Sequence, residues 1–295
     1  MIVLEKGPYQ LSDTAVCIGK FDGLHSGHQL LIDAVRNSTC KTKVMFTFTF
    51  ETAEHIYSTE EKKYLAEQMG IDVYIACPFD QALTHMSPLE FLENILIRQC
   101  GAKEICVGED FRFGFERKGD VAFLAKHQQT YGYRLRVFEK KKMAGECVSS
   151  TRIRKELKEG SLCDVNELLG RPYMVYGEVQ HGNQIGRTLN MPTANQIPSS
   201  GKVLPAFGVY ASRVYIGERN FIGVTNVGMK PTIPGESKIG VETYIMNFDE
   251  DIYGQKICVE LHRFLRGEKK FSSLEELEAE MKADKDKAFY FFCIE

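Results

Sequence analysis

The chain has 295 residues, enough for one large or two ordinary domains. Its 37 Lys and Arg against 40 Asp and Glu leave a net charge of −3, which excludes the broad basic field of a nucleic-acid binder. Nine cysteines without a C-x-x-C pair read as reduced thiols rather than a disulfide frame or zinc site. The start has no signal-peptide core and no apolar run reaches membrane-spanning length, so a soluble cytoplasmic protein without nucleic-acid or membrane partners is expected.

In chain order, an apolar run at 15–18 leads into Gly19-Lys20-Phe21-Asp22-Gly23-Leu24-His25-Ser26-Gly27-His28. Apolar Leu30, Leu31, Ile32, Ala34 and Val35 follow. That order predicts a strand, a glycine-rich turn and a helix. Glycines let the backbone approach a ligand, and the first helix amides point at it. His25 and His28 are three apart and share one helix face. The stretch fits a cradle for nucleotide phosphates with two imidazoles near the transferring phosphorus. Residues 44–48, 73–76, 104–108 and 133–138 read as further strands. Residues 60–69, closed by Gly70, and 89–100, opened by Ser87-Pro88, read as helices. The alternation predicts a parallel sheet wrapped by helices.

After Gly170-Arg171-Pro172 the pattern changes to strands with turn signals, at 173–179, 208–216, 221–227, 240–246 and 255–264. Gly217-Glu218-Arg219-Asn220 reads as a hairpin turn. An antiparallel barrel or sandwich is expected. A final helix starts at Ser272-Ser273, where Ser273 and Glu276 match a capping box and Leu274, Leu277 and Met281 form one apolar face. The boundary falls between Glu159 and Gly170, giving domains 1–165 and 166–295.

Two more segments of the first half carry chemistry. Val107-Gly108-Glu109-Asp110-Phe111-Arg112-Phe113-Gly114 ends a strand with an acid, a guanidinium and a glycine. Val148-Ser149-Ser150-Thr151-Arg152-Ile153-Arg154 sets hydroxyls before a helix bearing two arginines. Taken singly, a histidine pair is more often structural, and the hydroxyl segment reads as an N-cap with surface charges. Three phosphate-competent loops at strand ends, where open parallel sheets bind ligands, point instead to a nucleotide site. In the second half, a glycine-rich loop with Gly182 and Gly186 runs into Pro192-Thr193-Ala194-Asn195. It is no Walker A motif. It reads equally as a hairpin loop or as a holder of phosphate-bound Mg²⁺ through the oxygens of Thr193 and Asn195. Glu242 lies on a strand, on the face opposite Val241, Thr243 and Ile245, where a carboxylate commonly just meets solvent.

In that order, G-x-F-D-G-x-H-x-G-H, V-G-x-D-F-R-F-G and S-S-T-R-I-R resemble the bacterial bifunctional riboflavin kinase/FMN adenylyltransferase family. So do P-T-A-N (192–195), G-V-Y-A (208–211), N-x-G-x-x-P-T (226–232), the strand glutamate Glu242, F-x-x-D-I-Y-G (248–254) and F-L-R (264–266). The resemblance runs from about Ala15 to Lys287. It implies a Rossmann-like nucleotidyltransferase domain followed by an antiparallel β-barrel riboflavin kinase domain with a terminal helix. It implies ATP as co-substrate and Mg²⁺ or another divalent cation. In the first domain it sets His25 and His28 on ATP phosphates, within a cradle of Gly19, Phe21, Asp22, Gly23 and Gly27. Ser150, Thr151, Arg152 and Arg154 fall on the triphosphate side, and Asp110, Arg112 and Phe113 in the nucleotide and flavin site. The attacking FMN phosphate is already an anion, so no dedicated catalytic carboxylate is expected there.

In the second domain the resemblance makes Glu242 the general base toward the riboflavin alcohol. Thr193 and Asn195 hold Mg²⁺-ATP with Gly182, Gly186, Pro192 and Asn226 around them, and Arg266 lies near the flavin. Two segments depart from the family. Thr47-Phe48-Thr49-Phe50-Glu51-Thr52 stands where T-F-E-P-H-P is common, and Asn190 stands where glycine is usual. The alternatives are a riboflavin kinase with a weakened adenylyltransferase domain, or a flavin-binding regulator without turnover.

Overall fold

The computed structural model describes residues 1–5, 7–49, 54–181, 191–231 and 237–294. Its backbone falls into two units, Met1–Ala53 with Lys62–Ser150, and Glu54–Glu61 with Thr151–Glu295. The second unit thus takes a short segment from the first half of the sequence.

The first unit contains β1 (Ile2–Leu4), β2 (Thr14–Gly19), α1 (Ser26–Arg36), β3 (Thr42–Thr49), β4 (Val73–Pro78), β5 (Ala102–Gly108), α2 (Val121–Tyr131) and β6 (Arg134–Phe138). The strands form one parallel sheet in the order β1-β4-β3-β2-β5-β6. Its central strands are apolar almost throughout because helices cover both faces; Val16, Phe46, Ile75 and Ile105 are fully enclosed. From β2 the chain builds outward to β3 and β4, then crosses over to β5 and β6. The strand order therefore reverses between β2 and β5, and a crevice opens at their C-terminal ends.

One expected helix differs. Ser87 and Glu90 form the capping box that opens it, but after Pro88–Glu90 the chain runs as a π-helix over Phe91–Gln99. The Cys100 N–H reaches back five residues to the Ile95 carbonyl, at 2.8 Å. The wider turn gathers Phe91, Leu92, Leu96 and Cys100 into one buried face, a gain that the α-helical period does not anticipate.

The second unit contains α3 (Leu162–Leu169), β7 (Tyr173–Glu178), β8 (Thr193–Gln196), β9 (Gly208–Ile216), β10 (Arg219–Pro231), β11 (Ser237–Ile245), β12 (Lys256–Gly267) and α4 (Leu274–Ile294). Its antiparallel sheet has the order β7-β12-β9-β10-β11-β8. The two edges meet where the Gln180 N–H donates to the Asn195 carbonyl (2.7 Å) and the Gln196 amide donates to the Gly177 carbonyl (2.9 Å). The sheet is thus curled into a barrel. The hairpin turn is tighter than four residues: Ile216 pairs with Arg219, leaving Gly217 (φ 59°) and Glu218 as the loop. Thr225 links Ser212 (2.7 Å) and Thr243 (2.9 Å), so three buried hydroxyls satisfy one another. Half of the expected capping box of α4 forms: the Ser273 Oγ accepts from the Glu276 N–H at 3.2 Å, while the Glu276 carboxylate accepts from the Ser272 N–H (3.0 Å) and hydroxyl (2.8 Å). Its inward stripe passes through Leu277, Met281, Asp284 and Ala288, and Phe291 and Phe292, like Ile222, Val224 and Tyr244 of the sheet, pack against buried Ala211, Met246 and Ala288.

The short segment 54–61 is tied in by a buried ion pair. Lys202 Nζ lies 2.8 Å from Glu61 and donates to the Ile56 (3.0 Å) and Met174 (3.1 Å) carbonyls, beside the stacked rings of Tyr57 and Tyr173. Both side chains are at most 2% exposed. Glu61 also accepts from the N–H groups of Ser58 (2.8 Å) and Tyr176 (3.1 Å), so its charge is fully coordinated.

Candidate active sites

In the first unit the site grows out of the turn after β2. Phe21, Gly23 and Leu24 adopt left-handed φ of 47°, 82° and 46°, a costly backbone held by its surroundings. The Ser150 hydroxyl contributes, donating to the Asp22 carbonyl at 2.8 Å. His25 stands at the N-terminal cap of α1, and no side chain caps that turn. The amides of Ser26, Gly27 and His28 therefore face the strand-end crevice, where the helix dipole favours an anion. The His25 and His28 rings stack at 3.6 Å and 18°, and Phe21 meets His28 edge-on at 5.1 Å. Gly27 makes this possible: a Cβ there would sit 3.2 Å from His25 Nδ1. At Gly19 the same atom would meet only the Phe21 ring, at 3.4 Å.

The loop after β5 lies on the other side of the strand-order reversal. Asp110 pairs with Lys140 at 2.8 Å, and Arg112 is exposed and donates to the Phe111 carbonyl at 3.0 Å. Phe113 is enclosed in the core and stacked on half-buried Phe111 at 5.3 Å. Thr151, Arg152 and Arg154 are counted with the second unit, in the helix Ser150–Glu159. The segment after Thr49, at 50–53, lies outside the described residues.

In the second unit, strand register assembles the site. Asn195 on β8 pairs with Glu242 on β11, and Glu242 pairs on its other side with Asn226 on β10. Asn226 pairs with Val209 on β9, and Val209 with Arg266 on β12. Cross-strand partners share a sheet face, so four predicted site residues stand in one row. Alternation sets Glu242 on the face of Tyr244, which α4 covers. Arg266 is engaged by that helix, its guanidinium 2.8 Å from buried Asp284.

Beside the row, Pro192, Thr193 and Asn195 line a cavity of about 400 Å³ whose far wall is the 248–253 segment, with Asp251 and Tyr253. Asn195 Nδ2 donates to the Thr193 carbonyl at 3.2 Å, which orients the amide. His181 stacks on Tyr253 at 3.8 Å, a contact between two motifs that no spacing predicts. Gly182, Gly186 and Asn190 lie outside the described residues. Sequence reasoning also passed over the buried lysines Lys62 and Lys202. The only signal for either was the Ser58-x-x-Glu61 capping pattern beside Lys62.

Both halves have known counterparts. The FAD synthetase family model matches residues 8–152, and the riboflavin kinase family model matches residues 169–292. The bifunctional riboflavin kinase/FMN adenylyltransferase of Escherichia coli (strain K12) is 34% identical over 289 residues, 93% of this chain and 91% of that protein. The Haemophilus influenzae protein of the same name is 33% identical over 295 residues, 96% of this chain and 95% of its own. A crystal structure from Streptococcus pneumoniae, named a macrolide-efflux protein, superposes with a TM-score of 0.81 at 28% identity, covering 97% of this chain and 98% of that one. Two family models in the order of the two sheets, and relatives matched along nearly their full length, show that the chain belongs to the bifunctional riboflavin kinase/FMN adenylyltransferase family.

Proposed function

We propose that the chain uses ATP twice, to phosphorylate riboflavin to FMN on the second unit and to adenylylate FMN to FAD on the first, releasing pyrophosphate. The observation that carries this reading is the register of Asn195, Glu242 and Asn226 on three adjacent strands beside the cavity. The primary alcohol of riboflavin must lose its proton as it attacks the γ-phosphorus, and Glu242 is assigned as the general base. Thr193 and Asn195 are assigned to a divalent cation, Gly182, Gly186, Pro192 and Asn226 to the nucleotide, and Arg266 to the flavin side. A hydroxyl and an amide oxygen are hard, neutral donors. Among the described residues no cluster of three His, Cys, Asp or Glu could hold a metal. That donor set fits an ion that shares its coordination with nucleotide phosphates. Once bound, the cation neutralises charge on the β- and γ-phosphates.

Adenylyl transfer asks less of the protein. The FMN phosphate, with a second pKa of about 6, is already a dianion at neutral pH. The assigned work of His25, His28 and the first α1 amides is alignment and charge stabilisation at the α-phosphorus and the departing pyrophosphate. Gly19, Phe21, Asp22, Gly23 and Gly27 shape the cradle, Ser150 buttresses it, and Asp110, Arg112 and Phe113 are assigned to the nucleotide and flavin. The triphosphate roles of Thr151, Arg152 and Arg154 rest on the S-S-T-R-I-R motif alone. We set the division between the activities at 165/166, inside the 153–168 stretch that neither family model covers. Cytoplasmic residence belongs to the same proposal; no described helix is long and apolar enough to cross a membrane.

The test is to incubate the pure protein with riboflavin, ATP and Mg²⁺, with and without reductant, and to separate the flavins over time. FMN should rise first and FAD follow. FMN without FAD under both conditions would establish the kinase-only reading, which the missing Pro and His after Phe48 favour.

A further inference from the structure

Arg266 meets an acid that no motif sets beside it. It is the β12 member of the row that carries Glu242. Its Nε donates to Asp284 Oδ2 at 2.8 Å, and its Nη2 lies equally close. Asp284 stands on the inward stripe of α4 and is 1% exposed, whereas Arg266 keeps 19% of its side chain open. Nη1 donates to the Gly267 carbonyl at 3.1 Å, and the guanidinium lies 5.7 Å from the centre of the Phe271 ring. A guanidinium carries five N–H donors, so among the described residues these contacts leave donors for a ligand.

The helix has other anchors than Asp284. Ala288, Phe291 and Phe292 pack with Ala211 and Met246, and Arg263 and Arg213 lie over the Phe291 and Phe292 rings at 5.7 and 4.8 Å. A buried ion pair adds little stability that an apolar contact of equal size would not. What it does fix is the direction of a long side chain with many rotamers. A second acid, Glu280, is 3.7 Å from Arg266 Nε, so the guanidinium has another place to go once Asp284 is lost.

We propose that Asp284 is a positioning residue of the riboflavin kinase site: from the terminal helix it holds the Arg266 guanidinium in the orientation that donates to riboflavin. A donor held in place before the substrate arrives lowers the entropy cost of binding. The effect therefore falls on riboflavin affinity and not on proton transfer at Glu242. This rests on the reading of Arg266 as a flavin-side residue of the second unit.

In the full chain, Asp284→Asn removes the charge at constant size and Asp284→Ala removes the side chain. Either should raise the KM for riboflavin roughly fivefold or more, with kcat and the KM for ATP changed by no more than about twofold. In an Arg266→Ala background neither should add a further rise, because the group to be positioned is gone. An unchanged riboflavin KM in a folded variant, a matching rise for ATP, or full additivity with Arg266→Ala would overturn the proposal. So would thermal melts showing that neither variant folds, which would make Asp284 a structural anchor. The Kd for riboflavin, from quenching of its fluorescence, gives the same comparison without turnover. If Arg266→Ala leaves that Kd unchanged, the flavin-side reading of Arg266 fails. If Arg266→Ala weakens binding and the Asp284 variants do not, Asp284 alone loses its role.

Discussion

A strand glutamate becomes a candidate base through what stands beside it. Glu242 has Asn195 on one side and Asn226 on the other. Glu242→Gln should lower riboflavin phosphorylation by about 10²–10⁴-fold while FAD formation from supplied FMN persists, both read by flavin chromatography. Gly27→Ala should act in the other unit. Its new Cβ, 3.2 Å from His25 Nδ1, must tilt the imidazole, and a misplacement of that kind costs roughly one to two orders of magnitude in adenylyl transfer. Riboflavin phosphorylation should be unaffected. Glu242 and the histidine pair were legible as candidates because their motifs are contiguous. The burial of Lys62 and Lys202 was not legible, because nothing in their neighbours reveals that a lysine is buried.

Elements show the same division between local and distant causes. The terminal helix announced itself through Ser273 and Glu276, and the structure keeps the Ser273 half of that box while turning the Glu276 carboxylate to Ser272. Hydrogen bonds from the Ser272 backbone and hydroxyl, then from Lys269, hold the Glu276 carboxyl down to about 2. A carboxyl depressed on folding contributes stability above its unfolded range, near 4.5, and loses it as the pH falls toward 2. The start of α4 should therefore fray between about pH 4.5 and 2, seen as a falling protection factor of the Ser272 amide relative to its intrinsic exchange rate. Glu276→Gln should abolish that local pH dependence.

The helix after Ser87 was legible in its cap but not in its π-helical body, which follows from how Phe91, Leu92 and Leu96 meet the sheet. The Glu61–Lys202 pair was not legible at all, since its members are 141 residues apart. Lys202→Met alone strands a buried carboxylate and should cost about 3–5 kcal/mol. The double variant with Glu61→Gln should be more stable than Lys202→Met, because glutamine keeps an acceptor for Ser58 and Tyr176 without the charge. Urea melts of the three proteins would test this.

At the scale of the molecule, the nine cysteines are free thiols, and their reactivity should sort by burial. Cys147, Cys163 and Cys293 are exposed. Burial, reinforced by neighbouring thiols or carboxylates, pushes Cys100 and Cys106 up to about 12. A thiol titration of the native protein should therefore show three fast groups, with Cys17, Cys100, Cys106 and Cys258 reacting only on unfolding. The sequence by itself determined the strand–turn–helix around His25, the hairpin at Gly217, the capped terminal helix and the two-part α/β-then-barrel order. Each depends on residues within a few positions of one another. Only the tertiary structure decided that Asn195, Glu242, Asn226 and Arg266 share a row, that segment 54–61 belongs with the barrel, and that Lys62 and Lys202 are buried. Strand register and burial join residues far apart in the chain, and no local pattern encodes them.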